Sequence, residues 1–307
     1  MELRHLRYFM ALAEELSFTR AAGKVHVTQS TLSHQIKQLE DEIGRPLFER
    51  TGRRVVMTEA GKALLLRLDG VLGVIDESVR AAKGSGDAPS GSLRVATTPT
   101  FSAGLMPACL AAFMRQHESV HVTVLELLAD AAEAEIESSR IEVGIGYTPS
   151  QRTGLSFEPL YIEEMVLAVS PRHELAGRRH LRLAELHRQR LILNTPQSAT
   201  RRMLEERLAA VNASPIVVAE IDAIQPTLEL VRAAGLGAIV SEHVVSLVPG
   251  VTAVPLEEPT PLRTPGIVWK RDARASVACR AFAATVRRTI ARLKLRPPVR
   301  ARPGQDR

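Results

Sequence analysis

The sequence predicts a multidomain α+β chain: an N-terminal winged helix-turn-helix with a linker helix, then a C-terminal α/β domain in two parts. Three observations predict it. Leu3, Leu6, Met10 and Ala13, then Leu32, Ile36, Leu39 and Ile43, recur at helical spacing. The stretch Gly84-Ser85-Gly86-Asp87-Ala88-Pro89-Ser90-Gly91 is almost all Gly, Ser and Pro and reads as a flexible connector. Beyond it, short Val/Ile-rich runs alternate with helical stretches, as in βα units built on a mostly parallel sheet.

In the first segment, Ser17 is placed to cap a second helix, whose Ala21-Ala22 pair lets a neighbour approach closely. Thr28 is a good N-cap for a third helix beginning at Gln29. The two short helices make a helix-turn-helix at 18–37. On the third helix, Leu32, Ile36, Leu39 and Ile43 fall on one stripe, while Ser30, Thr31, His34, Lys37 and Gln38 lie opposite. That face offers hydroxyl, amide, imidazole and ammonium groups, which suit base edges and phosphates; Glu40, Asp41 and Glu42 come only later. An ordinary solvated polar face would show the same periodicity. A basic turn with Gly52 at its tip carries Arg53 and Arg54 before the run Val55-Val56-Met57 and resembles a wing placed to hold phosphate or enter the minor groove. Thr58 then caps a long helix with Leu64, Leu68, Val71, Ile75 and Val79 on one stripe, which is expected to pair with a second copy of the chain.

After the connector, strands are expected at 93–96, 120–125 and 143–147, with helices near 103–116 and 130–139 between them. A second set follows at 165–170, 191–194, 216–221 and 238–240, and the run 266–270 with a helix at 275–293 returns to the first. Two hydroxyl-rich segments each follow a strand and open a helix: Thr97-Thr98-Pro99-Thr100-Phe101-Ser102 and Thr195-Pro196-Gln197-Ser198-Ala199-Thr200. Hydroxyls and unpaired N–H groups at helix starts suit a small anion, and strand ends in open α/β sheets border the ligand crevice. The candidate effector residues are Thr98, Thr100, Phe101, Tyr147, Thr195, Gln197 and Thr200. Taken singly, such hydroxyls more often only cap helices.

Composition sets bounds. The 307 residues carry Lys+Arg 40 against Asp+Glu 34, with 45% hydrophobic residues, as in an ordinary globular chain of two domains. Residues 1–83 hold 13 basic and 11 acidic groups, whereas 287–307 hold eight basic groups and one acid, so the pI near 9.7 belongs mostly to a C-terminal tail. Basicity therefore permits nucleic-acid binding without demonstrating it. No apolar run reaches the ~18 residues of a membrane span, the N-terminus lacks the apolar core of a signal peptide, and two cysteines imply no disulfide framework. The expectation is a cytoplasmic protein without membrane contact.

Enzyme signatures fail on context. His117-Glu118-Ser119-Val120-His121 matches H-E-x-x-H, but Val120, Val122 and Val124 alternate as in a strand, where the two imidazoles cannot converge on zinc. Gly144-Ile145-Gly146 lacks the rest of a dinucleotide fingerprint, and there is no G-x-S-x-G elbow. Cys109 lies in an apolar stretch and reads as packing. No catalytic residue, metal or cofactor is expected.

The combination Leu3-Arg4-His5-Leu6-Arg7-Tyr8-Phe9, Ser17-Phe18-Thr19-Arg20-Ala21-Ala22, Thr28-Gln29-Ser30-Thr31-Leu32-Ser33, Gln38-Leu39-Glu40, Gly44-Arg45-Pro46-Leu47-Phe48-Glu49-Arg50, Gly52-Arg53 and Met57-Thr58-Glu59-Ala60-Gly61 resembles the LysR-type transcriptional regulators. Many members have Pro where this chain has Ser30, which adds a hydroxyl and an N–H at the helix head. The resemblance covers essentially the whole chain. It implies a DNA-binding domain at 1–58, a dimerising linker helix at 59–83 and a hinge at 84–91. A two-lobed effector domain similar to periplasmic binding proteins follows at 92–295, with lobe I at 92–162 and 266–295, lobe II at 163–265 and a basic tail at 296–307. It further implies operator DNA read by Gln29, Ser30, Thr31, Ser33, His34, Lys37, Arg53 and Arg54. The other implied partners are a small anionic effector, a homodimer or homotetramer, and RNA polymerase. Within the family, Ser92-Leu93-Arg94-Val95-Ala96, Thr98-Pro99-Thr100-Phe101 and Ala199-Thr200-Arg201 are most similar to regulators of cyanate operons, which points to cyanate or a comparable small organic acid.

Overall fold

The computed structural model describes residues 1–51, 54–68, 72, 75, 79, 89–147, 153–271, 273, 275–293 and 295–298. The chain divides into two compact units, residues 1–86 and 87–307.

The first unit holds α1 (Leu3–Glu15), α2 (Phe18–Lys24), α3 (Gln29–Ile43), the strands β1 (Phe48–Thr51) and β2 (Arg54–Met57), and α4 (Glu59–Leu68). Ser17 Oγ accepts from Arg20 N at 3.4 Å, and Thr28 Oγ1 from Thr31 N at 3.2 Å, so both expected caps form. Gly44 ends α3 at φ +76°, a conformation open to glycine. Phe9, Leu12, Ala21, Ala22, Leu32, Ile36 and Leu39 bury against Leu47 and Phe48, and the Phe9 and Phe48 rings lie 5.4 Å apart. β1 and β2 pair antiparallel, from Phe48 opposite Met57 to Thr51 opposite Arg54. The hairpin is thus the wing expected from the basic turn.

The second unit carries two sheets. The first has the order β4 (Val120–Glu126), β3 (Gly91–Thr97), β5 (Val143–Tyr147), β14 (Pro265–Lys270), β6 (Leu155–Pro159). The second runs β10 (Ile216–Glu220), β9 (Arg190–Leu193), β11 (Gly237–Ser241), β7 (Glu163–Val169), β12 (Thr252–Glu257), β8 (Leu181–Arg182), with β13 (Leu262–Arg263) on β7. The expected strands are present, and 266–270 does return to the first sheet. The expectation of a mostly parallel sheet needs correction. β3 is parallel to β4 and β5, and β9 to β10 and β11, but β14 is antiparallel to β5 and β6, and β7 to β11, β12 and β13. The chain crosses between sheets twice, and the crossing strands enter each sheet against the direction of the βα units. The helix Val277–Arg292 closes the first sheet, with Phe282 edge-on to Phe113 at 5.4 Å. Burying each such ring contributes about 1.5–3 kcal/mol. The helix expected near 103–116 is present as Met106–Met114, and the one opened by the Thr97–Ser102 segment is a separate short helix, Pro99–Ala103.

Candidate functional site

Two surfaces carry polar chemistry. On the first unit, Gln29, Ser30, Thr31, His34, Lys37 and Gln38 are exposed along one face of α3, and Ser33 is half-buried. The Thr28 hydroxyl also meets those of Ser30 and Thr31, at 3.0 and 2.8 Å, so the helix head is a small hydroxyl cluster. Glu40 does not weaken this face. Its Oε1 accepts from Leu47 N at 2.7 Å and Phe48 N at 3.1 Å, holding the chain where it leaves α3 for the hairpin. Behind the hairpin, Thr58 Oγ1 donates to Pro46 O at 2.7 Å and accepts from Gly61 N at 3.1 Å. A Cβ at Gly61 would lie 2.3 Å from Leu47 O, so only glycine allows this approach.

On the second unit, the helix starts at Thr98-Pro99-Thr100 and Ser198-Ala199-Thr200 border one cleft of about 350 Å³, its open mouth included, together with Tyr147, Asn194 and Asp222. Arg263 and Glu163 bond to residues that line it. The Arg263 guanidinium donates from Nη2 to Glu163 Oε2 at 2.6 Å and to Thr100 Oγ1 at 3.4 Å, and from Nη1 to Thr200 Oγ1. It also sits over the Tyr147 ring, 4.2 Å from the centroid. Glu163 accepts from the Ser241 hydroxyl at 2.7 Å and the Tyr147 hydroxyl at 3.0 Å. Burial pushes the Tyr147 hydroxyl well above its ordinary pKa, which keeps it a donor. Arg202 of the second lobe reaches Asp130 of the first at 3.4 Å across the mouth. Thr98 Oγ1 is buried without a hydrogen-bond partner among the described residues.

Comparison with known proteins decides the family. The LysR substrate binding domain matches residues 86–291, and the bacterial regulatory helix-turn-helix of the lysR family matches residues 3–62. The chain is a LysR-type transcriptional regulator. The regulator is 31% identical to the HTH-type transcriptional regulator YfeR of Shigella flexneri over 260 residues, covering 85% of this chain and 82% of that one. It is 29% identical to the RuBisCO operon transcriptional regulator of Allochromatium vinosum, covering 96% and 99%. Among solved structures it resembles full-length OxyR of Pseudomonas aeruginosa, with a TM-score of 0.70 at 23% identity over 99% of both chains. It also resembles CbnR, at 0.65 and 23% over 94% and 99%. Regulators of this family bind operator DNA and small-molecule effectors; they are not enzymes.

The regulator brings Thr98, Thr100, Tyr147 and Thr200 together in the cleft, but not the whole expected set. Phe101 turns into the core of the first lobe, because an aromatic at that helical position faces the sheet. Gln197 is exposed and gives only its carbonyl, to Arg202 at 2.9 Å. Thr195 is engaged by Asp222, which accepts from its N–H at 3.1 Å and its hydroxyl at 2.7 Å. Arg263 and Glu163 were not among the expected residues: they stand 100 positions apart, and only the strand pairing joins them.

On the first unit, Arg53 and Val71 lie outside the described residues, and Arg54 is described only as backbone of β2. Within the single chain Leu64 and Leu68, expected to face a second copy, pack on the core of their own domain, α4 touching both α1 and β2; Val79 is exposed and Ile75 half-buried. The helix before His117 ends at Met114, and His121 is on β4, so the two imidazoles do not converge; among the described residues no cluster could hold a metal. Both cysteines are buried, and burial pushes Cys109 up to about 11. At the start of the expected basic tail, Arg296 O accepts from Ile162 N at 2.8 Å, and its side chain meets Glu164 at 3.1 Å. Among the described residues no helix is long and apolar enough to cross a membrane.

Proposed function

We propose that this LysR-type regulator reads its operator with Gln29, Ser30, Thr31, Ser33, His34 and Lys37 of α3, with Arg53 and Arg54 of the wing on the phosphates. A small anionic molecule in the cleft then changes how the DNA-binding units are spaced. CbnR, whose fold this chain shares at a TM-score of 0.57 in that structure, has been solved in complex with its target DNA. The observation that carries the effector reading is Thr98 Oγ1, buried and unpartnered on the cleft wall. Buried hydroxyls are paired as a rule, and a ligand oxygen would complete this one. Cyanate is the effector suggested by sequence likeness, and other small organic acids are the alternative. The regulator acts as a homodimer or homotetramer and meets RNA polymerase at its promoters, in the cytoplasm.

The effector moves the protein only as far as its affinities for the two arrangements differ. The test is isothermal titration of the full chain with cyanate and with small carboxylates, on wild type and Thr98→Val. Binding weakened at least tenfold by the substitution supports the cleft; binding indifferent to it refutes that location.

A further inference from the structure

Two segments carry the chain between the lobes of the second unit, residues 160–162 and the turn at Thr264, and they bond to each other. Leu160 N donates to Pro265 O and Met165 N to Pro261 O, each at 2.9 Å. Between these bonds lies Ile162, 8% exposed, and a buried N–H has to be paired somewhere. Its acceptor comes from neither crossing. It is Arg296 O, at 2.8 Å, in the C-terminal segment.

Residues 295–298 thus make a third connection beside the other two. They follow the helix Val277–Arg292, which packs on the first lobe, and Leu295 still rests on that lobe's core. Pro297 and Pro298 come next, and a residue before proline is pushed out of the helical region, so the segment runs on extended. The Arg296 guanidinium then meets Glu164, at the start of β7 in the second lobe, at 3.1 Å. The two crossings are covalent links and cannot open. This third one grips by a backbone hydrogen bond and an exposed ion pair, so it can let go.

Between its two grips stands Glu163. Arg296 holds the backbone one residue before it and the side chain one residue after it. Successive side chains of a strand point to opposite faces, so Glu164 turns out to Arg296 while Glu163 turns in. There Glu163 accepts from Tyr147 of the first lobe and Ser241 of the second, and it pairs with Arg263. Arg263 in turn bonds Thr100 and Thr200, at helix starts in different lobes.

We propose that residues 295–298 form a releasable strap across the hinge, with Arg296 as a positioning residue for Glu163. Docked, the strap fixes the backbone at Glu163 and with it the polar network of the cleft. Released, it leaves the Ile162 N–H without its acceptor and frees the lobes to rearrange. The C-terminal segment thereby sets how readily the effector domain responds, whichever molecule the cleft takes.

The test is amide hydrogen exchange of the full-length protein, read by mass spectrometry. Wild type is compared with a chain ended at Leu293, with Arg296→Ala and with Arg296→Lys. Ending the chain at Leu293 should speed exchange across 160–166 by about tenfold, the scale of leaving one buried N–H unpaired. The rise should reach the helix starts at 98–102 and 198–202, at about threefold, while 277–292 and α3 keep their protection. Arg296→Ala removes only the ion pair and should give a smaller rise in the same segments. Wild type in about 1 M salt, where exposed pairs are screened, should match it, and Arg296→Lys should reverse it. If the shortened chain fails to fold, Arg296→Ala decides. Unchanged exchange at 160–166 in the folded variants would overturn the strap. A rise confined to 160–164, with both helix starts as protected as in wild type, would overturn the positioning of Glu163.

Discussion

Arg263 and Glu163 stand directly opposite each other on β13 and β7, and their side chains meet at 2.6 Å where the chain crosses between the two sheets. Breaking a buried pair by removing one partner leaves an uncompensated charge, which costs about 3–5 kcal/mol. Arg263→Met should therefore lower unfolding stability by that order in a denaturant melt. A loss below about 1 kcal/mol would show that the Ser241 and Tyr147 hydroxyls suffice to hold the Glu163 charge without Arg263.

Glu40 is an acid on the recognition helix with a structural duty. Glu40→Gln weakens two bonds to the Leu47 and Phe48 amides, and the cost should be about 1–3 kcal/mol. If the residue acted electrostatically on DNA, removing its charge would raise affinity. Anisotropy titrations should instead show affinity lowered or unchanged, with an unaltered salt slope.

Lys37 is exposed on the face of α3 that would meet a duplex. Lys37→Ala should weaken DNA binding and reduce the slope of log K against log salt by about 0.9, the contribution of one phosphate contact. An unchanged slope would remove Lys37 from the interface.

Gly61→Ala places a Cβ 2.3 Å from Leu47 O and 2.6 Å from Met57 Cγ. Backbone must move to relieve it, at about 1–3 kcal/mol. A lower melting temperature of the N-terminal unit with weaker DNA binding is expected, and a Gly61→Ala protein as stable as wild type would contradict this packing.

Cys109 sets a high-pH limit. Its folded pKa is about 11, against about 8.5 for an ordinary thiol. Between these values the unfolded chain releases a proton that the folded chain keeps, so stability falls as pH rises from about 9 to 11. Near neutrality the thiol stays protonated. An aromatic disulfide reagent should react with it only on unfolding, and peroxide should leave DNA affinity unchanged. Rapid labelling of the native protein would contradict its burial.

Local chemistry made much of this legible. Ser17, Thr28 and Gly44 bound helices through short-range bonds, and the alternation in residues 120–124 placed a strand that ruled out a zinc helix. What escaped is what long-range pairing creates. Arg263 reads as one more arginine in a loop until β13 lies on β7, and nothing near Thr195 announces that Asp222 will occupy it. Leu64 and Leu68 have the periodicity of a dimer seam, and within the single chain they also pack on their own domain's core; a stripe alone does not say what else covers a face.

The most direct test of a ligand-responsive, DNA-reading molecule is one anisotropy titration. It would use DNA upstream of this gene, with scrambled DNA as competitor, in the presence and absence of cyanate, isobutyrate and benzoate, on wild type and Thr98→Val. Selective binding to the upstream DNA is expected, altered by at least one acid in wild type and by none in the variant. Binding with no preference over scrambled DNA, or a response that survives Thr98→Val intact, would contradict it.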